Sequence, residues 1–456
     1  MKSKHIYKSI ACGVLLALTA TSCDLDYNPV DSYSDVTEGV DKTDEKPIFN
    51  SVQDVETSMV TLHKKFRDQQ EHWYVDKLLI GDAHSDNAYA GTTGAEVVPY
   101  ETNSIEGSNS VLKRDWDRFL GDIAEANRII VGCEQLKALS DSERGKYQSQ
   151  AKIFRAMVMF DMVRLWGNFP VITTVGGDIT EDNVEEMYPT YFPPQNTAEE
   201  AYTQIEKDLT EAVENPNTPT NDASDKSILT KSVARAMLAK VYAEKPLRDY
   251  AKVIKYADEL AADGFDLVED FSDLWAYDTE KKDCRVRNTK EAILEAHFPP
   301  GSGNWCTWMF GRNLSNWDES FTWAKWITPS RDLIRLYEEQ GDTKRYNESV
   351  VWYECGWSNY YPADHYAFMY KCRSAFNSII YLRYADILLL KAEAKIMGET
   401  VQPTLLTASV TVPDWVNFHK APVAVKKHCS KLIWTNAVWN LLLRDNAGTT
   451  FAASIR

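Results

Sequence analysis

Histidine is scarce, eight in 456 residues, so a metal site or general-base cluster built on imidazole has little to draw on. The eight cysteines stand alone at Cys12, Cys23, Cys133, Cys284, Cys306, Cys355, Cys372 and Cys429. None has a Cys-x-x-Cys neighbour, so neither a zinc site nor a dithiol redox motif is suggested, and they read mainly as free thiols, with one bridge still open in an exported chain. No Gly-rich phosphate loop, His-Glu-x-x-His or Gly-x-Ser-x-Gly occurs, and no cofactor or metal is expected. Positive charge is in deficit: 50 Lys and Arg against 67 Asp and Glu leave a net −17. That argues against nucleic acid, whose phosphates need clustered cations, and against docking on anionic lipid through a basic face. Acids are plentiful, but they nominate no catalytic pair of carboxylates.

Apolar and aromatic residues, by contrast, are abundant. A hydrophobic content of 44% with 26% charged is a globular composition. The length suits one large helical domain or two ordinary ones. Aromatics make up 12% of the chain, with 14 Trp and 23 Tyr, and many of these are expected in the core. Flat aromatic faces in a pocket are one way to hold a sugar ring, with hydrogen bonds at its edges.

The chain opens with an export signal over residues 1–22: Lys2, Lys4 and Lys8, then an apolar stretch over 10–20 too short to span a bilayer comfortably. Ala20-Thr21-Ser22-Cys23 has the form of a lipobox, with Cys23 as the lipidated residue that would anchor the chain in a membrane without a spanning helix. Residues 23–50 read as a polar tether.

From 51 onward helical periodicity dominates. Residues 52–68 and 111–139 are amphipathic. Thr197-x-x-Glu200 is a capping box opening a helix over 197–215. Residues 232–245 and 250–262 form a consecutive helix pair, 291–298 a short strand, and 331–340 a helix stopped by Gly341. The stretch 151–170 organises the rest. Ile153, Met157, Phe160 and Val163 fall on one side, Lys152, Arg155 and Asp161 largely off it, and Gly167 with Pro170 ends the helix.

The order of residues in that helix carries more than its period. Arg155-Ala156 followed by Phe160-Asp161-x-Val163-Arg164-Leu165-Trp166-Gly167-x-x-Pro170 resembles the signature helix of the SusD-like (RagB/SusD) family. Asp24-Leu25-x-x-x-Pro29, Trp116 with Ile123-x-x-Ala126-Asn127, and the stretch 378–398, similar to the family's Arg-Tyr-Ala-Asp helix, extend the resemblance. It implies a mainly α domain over 51–398, built on degenerate tetratricopeptide-like helix pairs with a long loop-rich ligand surface. It also implies a non-enzymatic, lipid-anchored protein of the outer-membrane surface. Such a protein binds oligo- or polysaccharide and delivers it to a SusC-like TonB-dependent transporter. A surface glycoside hydrolase and a binder of peptides or other nutrients remain the alternatives.

Two stretches outside helical periodicity hold aromatics beside Asn and Asp. Trp73, Tyr74, Asn87 and Tyr89 fall in the first; Trp305, Trp308, Trp317 and Trp323 fall in the second. They are read as ligand-binding residues whose loops meet on one surface. Residues 81–87, dense in Asp, His and Asn, read as a solvated loop rather than a metal site.

The tail over 399–456 departs from this pattern. From Thr400 it carries two acids against six basic residues, and 400–412 has no charge at all. The family's Arg-x-x-x-Gly-Leu and Glu-Arg-Arg…Glu-Gly-x-Arg-x-x-Asp-Leu motifs are missing from it. Read from the third base of each codon, 426–455 can encode the second motif and 406–416 the first. The tail is therefore read as the product of a frameshift near 399–401, with a sequence never selected to pack.

The coding DNA checks this directly: the shifted frame is expected to encode both motifs, and a frame without them removes the reading. Cys23→Ala is expected to release the protein from the membrane fraction with no change in Tm, because the tether lies outside the core. Unchanged fractionation would contradict the lipobox.

Overall fold

A computed structural model describes residues 47–400 apart from 92–93, 178–183, 279, 281–282, 299–302 and 312–324. The export signal, Cys23, most of the tether and the tail from 401 lie outside the described residues.

Eight longer helices carry the fold. They are α1 Val52–Asp68, α2 Ser110–Gln135, α3 Asp141–Trp166, α4 Ala198–Glu214, α5 Lys231–Ala243, α6 Tyr250–Ala262, α7 Arg331–Gln340 and α8 Tyr384–Thr400. Their starts are written in side chains that accept from the first free backbone N–H groups. Ser51 with Asp54, Ser140 with Glu143 and Thr197 with Glu200 form reciprocal capping boxes. Thr230, Asp249 and Ser330 cap α5, α6 and α7. Gly167 ends α3 with φ 73°, a conformation that costs a side-chain-bearing residue. From α2 to α6 each helix packs on the next in sequence, and α8 closes against α6 and α5. This serial packing of neighbours is the tetratricopeptide-like arrangement.

Helix α3 starts ten residues before the stretch singled out in the sequence, and it is not simply amphipathic. It lies between α2 and α4, and every residue from Ser149 to Val163 except Lys152 is buried. Arg155 and Asp161 are buried with it because each finds a partner. The Arg155 guanidinium donates to both Asp208 carboxylate oxygens at 2.8 and 2.7 Å and to Asn127 Oδ1 at 2.6 Å. Asn127 in turn donates to the carbonyls of Ile172 and Thr174. Asp161 accepts from Lys77 Nζ at 2.8 Å and from the Tyr381 hydroxyl at 2.9 Å.

Two expected boundaries shift. Residues 378–398 are not one helix. Ile379–Arg383 is a strand, and α8 begins at Tyr384. The run Ile379-Ile380-Tyr381-Leu382 is β-branched and aromatic, and it pairs antiparallel with Ala292–Ala296. The domain also begins before 51, since Phe49 is fully buried against Gly132, where any Cβ would strike its ring.

Four short strands position the loops. Ala88–Ala90 (β1) pairs antiparallel with Ile327–Pro329 (β3), and Val350–Tyr353 (β4) with Tyr366–Met369 (β5). The pair described above is Ala292–Ala296 (β2) with Ile379–Arg383 (β6). The Thr328 hydroxyl donates to the Ala367 carbonyl and links β3 to β5.

Arg155→Met is expected to cost roughly 3–5 kcal/mol of stability, because it strands the Asp208 carboxylate in the core. Arg155→Met with Asp208→Leu should recover most of that loss in chemical denaturation. A double variant as unstable as the single one would contradict the pairing.

Candidate functional site

Between α1 and β1 the chain forms a helical segment with widened turns. A short α-helical turn, Asp76–Leu78, is flanked by π-helical turns Glu71–Val75 and Leu79–Ala83. Extra residues of this kind re-aim side chains and often sit at functional places. Here they turn Trp73 and Tyr74 inward. Trp73 is fully buried and donates from Nε1 to Asp122 at 3.0 Å. The same carboxylate accepts from His72 Nε2 at 2.8 Å and Lys65 Nζ at 3.1 Å. Tyr74 is buried too, its hydroxyl donating to the Phe66 carbonyl. Both residues are core, with their polar atoms already engaged, so neither offers a face to a ligand.

Asn87 and Tyr89 lie differently. Both are half-buried on the side where β1 meets β3. The Asn87 carbonyl accepts from Ser330 N at 3.0 Å, and the Tyr89 hydroxyl from Arg331 N at 3.2 Å. The Tyr89 ring stacks on Tyr360, centroids 4.6 Å apart and planes within 7°.

The second stretch reaches the same place. Gln70, just before the π turns, donates to the Gly303 carbonyl and accepts from Trp305 N, both at 2.8 Å. Trp305 then opens the short helix Cys306–Met309. Gly311, one residue past Phe310, lies against the backbone of Cys372, where a Cβ would come within 1.8 Å of the carbonyl oxygen, so only glycine fits. Trp326 donates to the Met309 carbonyl at 2.8 Å and accepts from Gly91 N at 2.9 Å. Trp305 and Trp308 stay in solvent, 37% and 49% exposed. Trp317 and Trp323 lie outside the described residues. The two stretches touch through Gln70 with Gly303 and Trp305 and through Gly91 with Trp326, while Trp73 and Tyr74 are buried in the core.

Behind the joint lies a cavity of about 290 Å³. Asn87 of the first stretch and Asn304 and Cys306 of the second share its lining with Asp82, Trp275 and Lys371. Apolar walls come from Leu78, Ile327, Leu333, Met369 and Ile379. Burial pushes the Lys371 ammonium down to about 8, with Arg383 adding to the shift and Asp82 opposing it. Burial raises the Asp82 carboxyl, against Lys371 and a hydrogen bond from Asn87. The Cys306 thiol is pushed well up by its hydrogen bond with Cys372 and by burial. None of the described cysteines is joined in a disulfide. Residues 81–87 hold no metal cluster: among the described residues no group of three His, Cys, Asp or Glu is placed to share an ion.

Sequence reasoning missed Lys371, Trp275 and Asn377, which come to the cavity from loops far along the chain. It also missed an exposed apolar patch whose Tyr188 and Phe192 rings lie 4.8 Å apart. A tyrosine and a phenylalanine four apart were the signal available there.

Known proteins share this architecture. The family described as SusD-like, "Starch-binding associating with outer membrane", matches residues 31–243. A SusD-like protein of Bacteroides ovatus is 25% identical over 318 residues, 67% of this chain and 51% of its own. The chain thus spans about half the length of that relative. Surface glycan-binding protein A from Bacteroides fluxus superposes with a TM-score of 0.64 at 18% identity, covering 87% of this chain and 91% of its own. Surface glycan-binding protein A from Bacteroides thetaiotaomicron, solved with laminarihexaose, gives 0.60 at 15% identity over 87% and 93%. The family match over residues 31–243, the related sequence and the shared fold together support a SusD-like family protein.

Proposed function

We propose that this protein captures glycans at the cell surface without cleaving them and passes them to a TonB-dependent outer-membrane transporter. The observation that carries the reading is the pair Trp305 and Trp308, large aromatics left in solvent on a short helix whose backbone is held on both sides. A sugar ring needs a flat apolar face with hydrogen-bonding groups at its rim. Here the half-buried Asn87 and Tyr89 would supply the rim. Four of the buried carboxylates are committed to the scaffold. Asp122, Asp161, Asp208 and Glu291 each hold a cation or a ring N–H within the scaffold. That leaves these four unfit to flank a scissile bond as acid and base. The relatives above, named for glycan binding, support the same assignment. A lipid anchor at Cys23 would raise local concentration and make weak capture avid.

Titration calorimetry with neutral oligosaccharides, β-glucans included, tests this. Trp305→Ala and Trp308→Ala should each weaken binding by on the order of 1–3 kcal/mol and leave Tm unchanged. Release of reducing ends during incubation would favour a hydrolase, and binding of peptides with no glycan would favour another nutrient.

A further inference from the structure

The cavity behind the two tryptophans is lined by a lysine whose ammonium makes no hydrogen bond or close ion pair with its walls. Among the described residues Lys371 Nζ has neither a hydrogen-bond nor an ion-pair partner. Its recorded contacts are the ring faces of Trp275 and Phe271, at 5.0 and 5.7 Å. Asp82 is the acid on the facing wall, but no ion pair joins them, and Asn87 bonds the Asp82 carboxylate instead. Arg383 and Arg345 stand behind the lysine, and the Cys372 thiol lies beside it. Both arginines are already matched, Arg383 by Glu291 at 2.6 Å and Arg345 by Asp342. Lys371 is therefore the one of these three cations without a close counterion, Asp82 acting on it only across the cavity.

Two further groups in the cavity wall are short of a partner. Trp275 Nε1 and Asn377 Oδ1 are buried and unbonded. Asn377 is 4% exposed, and its Nδ2 is already donated to the Trp275 carbonyl at 3.0 Å. A half-buried lysine ammonium without a hydrogen-bond partner stands in one small, apolar-walled space with a buried indole N–H and a buried amide carbonyl that also lack partners, and the two buried groups are costly to leave unfilled. The volume lies at the small end of ligand pockets, room for one ring rather than a chain.

Taking the sugar scaffold from the glycan-binding reading above, we infer that this cavity receives a single carboxylate-bearing sugar residue of the hexuronate class. Its carboxylate pairs with the Lys371 ammonium near the Trp275 indole. Its hydroxyls reach the Asp82 carboxylate and the Asn377 carbonyl across the ring. The apolar walls take the ring's faces. Trp305 and Trp308 would then serve the rest of the glycan outside, while the cavity selects an acidic unit.

Calorimetry on the full chain with free glucuronate and galacturonate, against glucose and galactose, decides it. The uronates should bind at least about tenfold more tightly than their neutral counterparts, as a charge-assisted contact predicts. Lys371→Met should abolish that preference while leaving Tm and Trp305-dependent oligosaccharide binding as they were. Wild-type uronate affinity should fall as pH rises through about 8, where Lys371 loses its proton, and neutral-sugar binding should not. That profile needs no variant. Equal affinity for acid and neutral sugars, no uronate binding, or a Lys371→Met protein with its preference intact would each overturn the inference. Neutral oligosaccharides held through Trp305 with no uronate binding would remove the cavity assignment alone. Lys371-dependent uronate binding that survives Trp305→Ala with Trp308→Ala would uphold it even where the surface reading fails.

Discussion

The structure hangs on the charges buried along α3. Arg155 and Asp161 sit six residues apart in the stretch of α3 from Ser149 to Val163, which has almost no solvent face, so each must be matched inside the protein. Arg155 takes Asp208 from α4 and Asn127 from α2, which fixes the register of three helices at once. Asp161 takes Lys77 from the widened helical segment and Tyr381 from β6. One helix thereby ties the helical stack on one side to the elements that carry the loops on the other. The apolar contacts around these pairs supply bulk stabilisation; the pairs specify which surfaces meet.

The second motif continues the same logic near the far end of the described chain. Arg383 pairs with the fully buried Glu291 of the segment leading into β2, and the Tyr384 hydroxyl donates to the Ala257 carbonyl of α6. Asp386 pairs with Lys240 of α5, and Lys240 holds the Asp386 carboxyl below its ordinary range against the effect of burial. Motif residues that look unrelated in the sequence are thus the two halves of closed polar contacts. A rigid frame of this kind is what a ligand surface made of loops requires, since the loops supply few contacts of their own.

Much of the frame was legible in the residues. Caps such as Ser51, Thr197 and Ser330 announce helix starts locally, and the periods of 52–68 and 250–262 give their helices to the residue. The site was less legible because its meaning is non-local. Trp73 and Tyr74 read as loop aromatics because the π turns break the ordinary helical period, while the same turns bury them. Ile379 to Leu382 fits either a buried helix turn or a strand; pairing with β2 decides it, and no local feature shows that partner. Lys371 is one lysine among many until Trp275, Asp82 and Arg383 are folded around it. Trp305 and Trp308 are exposed on a stretch rich in glycine, asparagine and serine.

On the proposed function, two distant stretches join to make one glycan surface at Trp305 and Trp308. Hydrogen exchange followed by mass spectrometry, with and without a bound oligosaccharide, tests it most directly. Ligand should slow exchange in peptides covering 303–311 and 84–91 together and leave the α4–α6 helices unchanged. Protection confined to those helices, or to only one of the two stretches, would contradict the account.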